Sequence, residues 1–563
     1  MSNRERGAST IAWIGFGAIA SLGAIGLWLL LTATLGSDEP AVAFEPPLFV
    51  EEASASGIDH IYDGDDFFVG GGVAIFDCND DGRPDVYLAG GDNPAALYRN
   101  ESSIGGSLEF SKVADTATEL VRVTGAYPLD IDSDGIVDLA ILRFGENVIL
   151  RGLGDCQFEE GSEMLAFYGG QTWTNAFSAR WEESNSLPTL AFGNYLALND
   201  SGEREEASSQ GWNCASNMLY RPHSDGRYYS DPLELSPSHC ALSMLFSDWD
   251  RSGKTDLRVS NDKHYYSEGE EQLWRIEPGE IPALYTRDDG WNKVQIWGMG
   301  IASQDVTGDG MPEVFLTSQG DNKLQTLSEG ASGPSFEDIA IRRGVTAHRP
   351  FAGEKILPST AWHPEFEDVN NDGFIDLYIS KGNVGSQPDY AIDDPNNLLL
   401  GQSDGSFSET AQSAGILNFG RTRGAAVVDL NLDGMLDLVE VNRSEPVTIW
   451  RNVGWGTPTA PEPMGNWLAL SLQQEGNNSF AIGSWIEIRT DQHELSRETT
   501  IGGGHAGGQL GWIHFGLGTA DRAEVRVQWP DGETGPWMKV DVNRFTVIDR
   551  DSSGPRVWAP TTD

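Results

Sequence analysis

Polar and apolar positions alternate along this chain on a long period. Short apolar runs are introduced by a nine-residue polar stretch: DCNDDGRPD at 77, DIDSDGIVD at 130, DWDRSGKTD at 248, DVTGDGMPE at 305, DVNNDGFID at 368 and DLNLDGMLD at 429. Position 12 of this register is Leu88, Ile141, Val259, Leu316, Ile379 and Glu440. Five of the six are apolar, and with position 10 they alternate as in a half-buried strand. A second apolar run follows, as in ALYRN, VILRG, QLWRI, NLLLG and VTIWR, and then usually an outer segment such as FSKVADTA, FEDIAIRRGV or FSETAQSAGI. Each repeat therefore predicts a meander of short strands.

The stretches start 53, 118, 57, 63 and 61 residues apart, and the 118 is two periods. FSARWEESNSLPTLAFGNYL fills the gap with the right spacing but sets Trp181, Glu183, Asn185 and Thr189 at the ligand positions, so a unit without a metal site is expected there. Seven units of this length indicate an all-β, seven-bladed β-propeller over residues 48–455; a calcium-binding β-helix would repeat about every nine residues. The last unit lacks an outer segment, and FVEEASASGI, Phe49 to Ile58, supplies one from the chain start. Pairing the two ends leaves no open sheet edge.

The polar stretches place oxygen side chains at positions 1, 3, 5 and 9 and glycine at 6. The candidate metal ligands are Asp77, Asn79, Asp81 and Asp85; Asp130, Asp132, Asp134 and Asp138; Asp248, Asp250, Ser252 and Asp256; Asp305, Thr307, Asp309 and Glu313; Asp368, Asn370, Asp372 and Asp376; and Asp429, Asn431, Asp433 and Asp437. Ca2+ takes six to eight oxygens, and like charges crowded this closely would repel one another without a cation. Glycine at position 6 supplies a positive φ. An EF-hand is excluded because its loop ends in a bidentate Glu at position 12; here the bidentate carboxylate is expected at position 9. Up to six Ca2+ sites are expected.

From Gly465 the pattern becomes alternating strands and glycine turns without metal loops, predicting a small β-sandwich or β-barrel over 465–550, after a Pro-rich linker at 456–464 and before a tail at 551–563. At the other end, residues 1–10 carry Arg4 and Arg6, and Ile11 to Leu35 is uncharged and long enough to cross a bilayer. Asp38 and Glu39 follow in a linker at 36–47, so residues 1–10 are placed in the cytoplasm and the body outside, in the periplasm or extracellular space. A signal peptide has the same polarity, and Ala41-Val42-Ala43 would serve for cleavage and secretion; its apolar core is normally about 7 to 15 residues, so a retained anchor is preferred.

The formal charge is −48, from 37 Lys and Arg against 85 Asp and Glu. This excludes a nucleic-acid partner held by phosphate contacts and points to cations or basic surfaces. Outside the cytoplasm Cys78, Cys156, Cys214 and Cys240 can form disulfides, and no CxxC motif is present. Three pairings are open: Cys214 with Cys240 is the nearest in sequence, and Cys78 with Cys156 would then tie neighbouring repeats.

The repeats resemble FG-GAP/VCBS repeats of integrin-like propellers. The tail, with Ala481-Ile482-Gly483, Gly502 to Gly504, HFGLG at His514 to Gly518 and VRVQWPDG at Val525 to Gly532, resembles the ASPIC/UnbV domain. Together they resemble the cartilage acidic protein family. The resemblance implies a calcium-binding secreted or surface protein of adhesion or matrix contact, and supplies no reaction. Departures at 181–189 predict no third site, and Ser252, Thr307 and Glu313 predict weaker fourth and fifth sites.

No HExxH or GxxxxGK[ST] motif is present. GQSDG at 401 fits GxSxG, but a hairpin turn is expected there instead of a nucleophile at Ser403. IGGGHAGG is read as a turn, and His505 and His514 as structural. Trp173, Trp291, Trp297 and Trp362 are read as packing between blades, with ligand stacking the alternative. The expected function is a monomeric, membrane-anchored calcium-binding propeller that binds an extracellular protein or glycan, without catalysis. The alternative is a propeller enzyme acting on extracellular polysaccharide, or a quinone-dependent oxidoreductase.

Overall fold

The computed structural model describes residues 42–182, 185–205, 213–262, 269–346, 357–385, 389–392, 394–552 and 554–559. The expected span Ile11–Leu35 and Glu183 lie outside the described residues, and among the described residues no helix is long and apolar enough to cross a membrane.

Each polar stretch forms the hairpin connection between the first and second strands of an antiparallel meander. Position 9 is the first residue of the second strand in all six: Asp85–Leu88, Asp138–Gly154, Asp256–Asp262, Glu313–Ser318, Asp376–Lys381 and Asp437–Asn442. The degenerate third unit keeps the same register, because Gly169–Arg180 and Thr189–Ala197 pair on either side of 181–188. The second and third units merge into one seven-stranded sheet. The 17-residue strand Asp138–Gly154 pairs with Val123–Leu129 at one end and Gln157–Glu160 at the other, and meets the third unit at Phe144.

The chain start pairs with the chain's last repeat: Phe49 lies opposite Asn452, Val50 opposite Arg451 and Glu51 opposite Trp450. This strand completes the sheet of Thr422–Val428, Asp437–Asn442 and Thr448–Asn452. A one-turn helix, Ala53–Ser56, follows it, as Ala340–Arg343 and Ala411–Ala414 follow the outer strands of the fifth and sixth units. The first strands, from Val73–Phe76 through Val123–Leu129, Gly169–Arg180, Cys240–Ser247, Gly298–Gln304 and Ala361–Glu367 to Thr422–Val428, contact one another in sequence, and the last contacts the first.

The second strands depart from the half-buried expectation. Val86, Tyr87 and Leu88 are all 0% exposed, because neighbouring units pack on both faces of each sheet. Trp173, Trp291 and Trp362 are buried in this packing and Trp297 is partly buried against it. GQSDG forms the expected hairpin turn, with Gln402 N donating to Ser406 O. Cys78 is bonded to Cys156 and Cys214 to Cys240. The first bridge ties the first unit to the second.

The C-terminal region is a sandwich of two four-stranded sheets. One orders as Ile513–Gly518, Asn466–Gln473, Arg544–Asp549 and Arg556–Val557; the other as Glu494–Glu498, Trp485–Arg489, Ala523–Gln528 and Met538–Val540. Leu468, Leu470, Ile486, Ile488, Val525 and Val527 fill the space between them. The strand Arg556–Val557 carries this domain into the segment expected as a tail.

IGGGHAGG is not a local turn. From Ile501 to Gln509 the chain leaves the sandwich and runs through the ring of first strands as a strap. Gly508 and Gln509 pair in parallel with Ala74 and Ile75, and bridges join Gly507 to Ala126, Ile501 to Ala179, Gly502 to Leu245 and Gly504 to Ile301. By backbone pairing the strap reaches five of the seven units, and His505 N donates to His363 Nδ1 in a sixth. Its glycines permit the approach: a Cβ on Gly507 would lie 2.1 Å from Val73 O. At the middle of the strap the His505 ring meets Gly70 N through Nε2 (3.2 Å) and Met299 O through Nδ1 (3.1 Å). Burial pushes its pKa down to about 3.

Candidate metal centres

The six acidic loops, numbered here by unit as 1, 2, 4, 5, 6 and 7, share one backbone path. Position 6 is a left-handed glycine in each, with φ from 80° at Gly82 to 87° at Gly310. Position 4 is left-handed as well, at Asp80, Ser133, Arg251, Gly308, Asn371 and Leu432, with φ between 53° and 72°. Only Gly308 among them is glycine. Two such residues so close together curl the loop until its amides point inward at the position-1 carboxylate. Asp81 N and Gly82 N donate to Asp77; Asp372 N and Gly373 N to Asp368; Asp433 N and Gly434 N to Asp429.

The position-9 carboxylate binds the loop to the sheet with both oxygens. Asp85 accepts Cys78 N at 2.7 Å and Asn100 N at 2.8 Å; Asp376 accepts Val369 N and Gly401 N; Asp437 accepts Leu430 N and Asn452 N. Each oxygen keeps a second lone pair. Burial pushes Asp85 and Asp138 up to about 8, despite these N–H donors, and holds Asp376 and Asp437 well above the carboxylate range. Burial likewise raises Asp248, Asp372 and Asp433 to about 6. Among the described residues these carboxylates form no ion pair, although Arg451 acts on Asp433 from further off.

Several loop oxygens are buried with no hydrogen-bond partner: Asn79 Oδ1 and Asn431 Oδ1 at position 3, Asp433 Oδ2 at position 5 and Asp248 Oδ1 at position 1. These are acceptors, so water or a hard cation fits them and a protein acceptor does not. In loop 2 the oxygens of Asp130, Asp132 and Asp138 lie within 4.8 Å of one another. The donor set therefore fits Ca2+.

The loops are not equivalent. In loop 2 the Arg151 guanidinium binds Asp132 at 2.6 Å and Asp134 at 2.5 Å, so a cation there competes with an internal one. In loop 4, Asp256 is turned toward Trp249 Nε1 and the Tyr285 hydroxyl, and Ser252 contributes its backbone N–H to Asp250. In loop 5, Glu313 accepts both the Thr307 and Thr326 hydroxyls on Oε1, while Asp309 accepts Met311 N. In loop 6, Asp372 Oδ2 takes Phe44 N from the chain start and Asn370 Nδ2. The third unit balances charge internally: Glu182 accepts Thr189 Oγ1 and Arg221 Nε and lies 3.6 Å from Arg180.

The C-terminal sandwich lies over these loops, an arrangement with no local signal in the sequence. Trp512 Nε1 donates to Gly82 O in loop 1, and Ser479 Oγ to Asp130 in loop 2. Asn477 reaches Asn185 O in the third unit. Glu498 accepts Asp248 N of loop 4, Ser496 Oγ donates to Asp305 of loop 5, and His514 Nε2 pairs with Asn371 Oδ1 of loop 6. Over loop 7 the Trp467 ring leaves no room for a Cβ on Gly434.

Two family models match this chain. The FG-GAP-like repeat model matches residues 77–141 and 368–440, and the model named ASPIC and UnbV matches residues 474–555. The chain carries both modules, the combination expected from its sequence. It is 24% identical over 246 residues to cartilage acidic protein 1 of Mus musculus, covering 42% of this chain and 34% of that protein, and equally similar to the Homo sapiens protein, with 33% of it covered. The chain thus spans about a third of the length of the curated relatives it matches. Among solved structures, BBS1N in complex with ARL6DN is similar with a TM-score of 0.41 at 10% identity, over 74% of this chain and 100% of that one. The extracellular domain of a hybrid two-component system from B. thetaiotaomicron gives 0.39 at 8% identity, over 90% and 59%.

Proposed function

We propose that this chain is an extracytoplasmic seven-bladed β-propeller, stabilised by Ca2+ in up to six loops, that binds a protein or glycan partner and is anchored in the membrane by Ile11–Leu35. The observation that carries the reading is the recurrence of one curled loop in six of seven units, with unpartnered buried oxygens at ligand positions in loops 1, 4 and 7. Cation binding removes the repulsion among these carboxylates and fixes the unit's first hairpin. The two disulfides favour an oxidising compartment.

A propeller enzyme would hold its substrate on the axis. Here Ile501–Gln509 runs along the first strands that ring the axis, and Gly70 N meets His505 while Gly71 bonds to Thr124 and Gly424. This favours binding over catalysis. The test is capture of extracellular proteins and glycans by the purified full chain in Ca2+ and in EGTA, alongside turnover assays on polysaccharide and alcohol substrates. Retention in Ca2+ that is lost in EGTA, without turnover, is expected. Turnover by the metal-saturated chain would replace this reading with the enzymatic one.

A further inference from the structure

The sandwich donates a serine hydroxyl to a ligand-position carboxylate in two loops, and it does so at the same atom of the repeat. Ser479 Oγ donates to Asp130 Oδ2 at 2.6 Å, and Ser496 Oγ to Asp305 Oδ2 at 3.1 Å. Both acceptors are position-1 carboxylates, and the same oxygens take Gly135 N and Gly310 N. Ser479 follows a strand of one sheet and Ser496 lies within a strand of the other. The two hydroxyls therefore come from different parts of the sandwich.

We propose that Ser479 and Ser496 are positioning residues of the metal sites in loops 2 and 5, so that metal loading and the seating of the C-terminal domain with its strap form one linked equilibrium. This rests on the calcium reading above. A donor on a ligating carboxylate fixes which lone pairs face the metal, and loss of such an outer contact typically weakens metal binding about 10- to 100-fold. Linkage is reciprocal: a domain that improves the sites is itself held more tightly when they are filled.

The strap is the element that must respond. It begins five residues after Ser496, and five of its nine residues are glycine. It is costly to order, and it is seated by hydrogen bonds made near its start: Ser178 Oγ to Ile501 O, Gly503 N to Met244 O and Gly504 N to Ile301 O. Removing the cation from loop 5 sets Asp305, Asp309 and Glu313 against one another, with no Lys or Arg paired to them among the described residues. Separation of these groups moves the carboxylate that Ser496 holds. Loop 2 keeps part of its closure through Arg151.

The experiment uses the full chain, S479A, S496A and the conservative S479T and S496T. Ca2+ affinity is read by calorimetric titration and strap seating by amide hydrogen exchange of the peptide spanning 501–509, in CaCl2 and in EGTA. For the wild-type chain, strap exchange is expected to rise at least about tenfold in EGTA. Each alanine variant is expected to weaken one class of Ca2+ site by about 10- to 100-fold and to need correspondingly more Ca2+ to protect the strap. The threonine variants should restore both. Equal strap exchange in CaCl2 and EGTA, or alanine variants that bind Ca2+ like the wild type, overturns the proposal while leaving the calcium reading in place. A wild-type chain that binds no Ca2+ removes both, and the wild-type arm stands even if a variant misfolds.

Discussion

Substituting Gly507 by alanine tests whether the strap is integral to the ring. The added Cβ would lie 2.1 Å from Val73 O, 2.7 Å from Val73 N and 3.0 Å from Val73 C, all backbone atoms of the first unit's inner strand. No side chain can swing aside, so the strap must withdraw by roughly 1 Å or the strand must deform. Withdrawal strains the parallel pairing of Gly508 and Gln509, the bond from Ala126 N to Ala506 O at 3.1 Å and that from Leu510 N to Ile75 O at 2.9 Å. Each buried bond lost without replacement costs about 1–3 kcal/mol, so breaking two or three predicts a loss of about 2–9 kcal/mol. The matched control is Gly535→Ala, whose Cβ meets only Val527 O at 3.6 Å and Trp529 Nε1 at 4.0 Å, ordinary contacts; it is expected within about 0.5 kcal/mol of wild type. Equilibrium urea denaturation followed by tryptophan fluorescence, in saturating Ca2+, gives both values from midpoint and slope. A Gly507→Ala chain within about 1 kcal/mol of wild type would refute the reasoning.

Chelation should lower the melting temperature substantially, since each site occupied at one hundred times its dissociation constant adds about 2.7 kcal/mol; an unchanged melt in excess EGTA removes calcium from the account. Deleting Phe49 to Ile58 should expose the edge of Thr448–Asn452 and produce aggregates by light scattering, and a monomeric deletion variant of wild-type stability would contradict closure. Glu271 is pushed up from 4.5 to about 8 by burial. The folded chain keeps a proton there that the unfolded chain releases, so its contribution is complete below pH 4.5 and is lost as pH rises toward 8. Glu271→Gln should make the decline in stability between pH 5 and 8 shallower, and urea midpoints at the two pH values that fall as steeply as in wild type would count against it.

Much of the ring was legible because its information is local and repeated. Position 9 opens the second strand in all six loops, and the unit around Trp181 and Thr189 held its register without its ligands. Phe49 was placed because the last unit lacked an outer strand. What escaped was either unsignalled or remote. Five of the six left-handed position-4 residues are not glycine, since the loop's own hydrogen bonds impose the conformation. The strap meets partners up to about 435 residues away, and its glycines read locally as a turn. A signal did exist in an inner strand: a Cβ on Gly125, within Val123–Leu129, would lie within 2 Å of Ala506 O. Glycine within a strand marks the close approach of another backbone.

The joining of Phe49–Glu51 to Thr448–Asn452 also sets a schedule for the growing chain. About 400 residues separate the partners, and at about 5–20 residues per second the first strand waits about 20–80 s after its own synthesis before its mate exists. Until then the first strand of the nascent chain has no partner, and any chaperone that attends its folding has that interval in which to act.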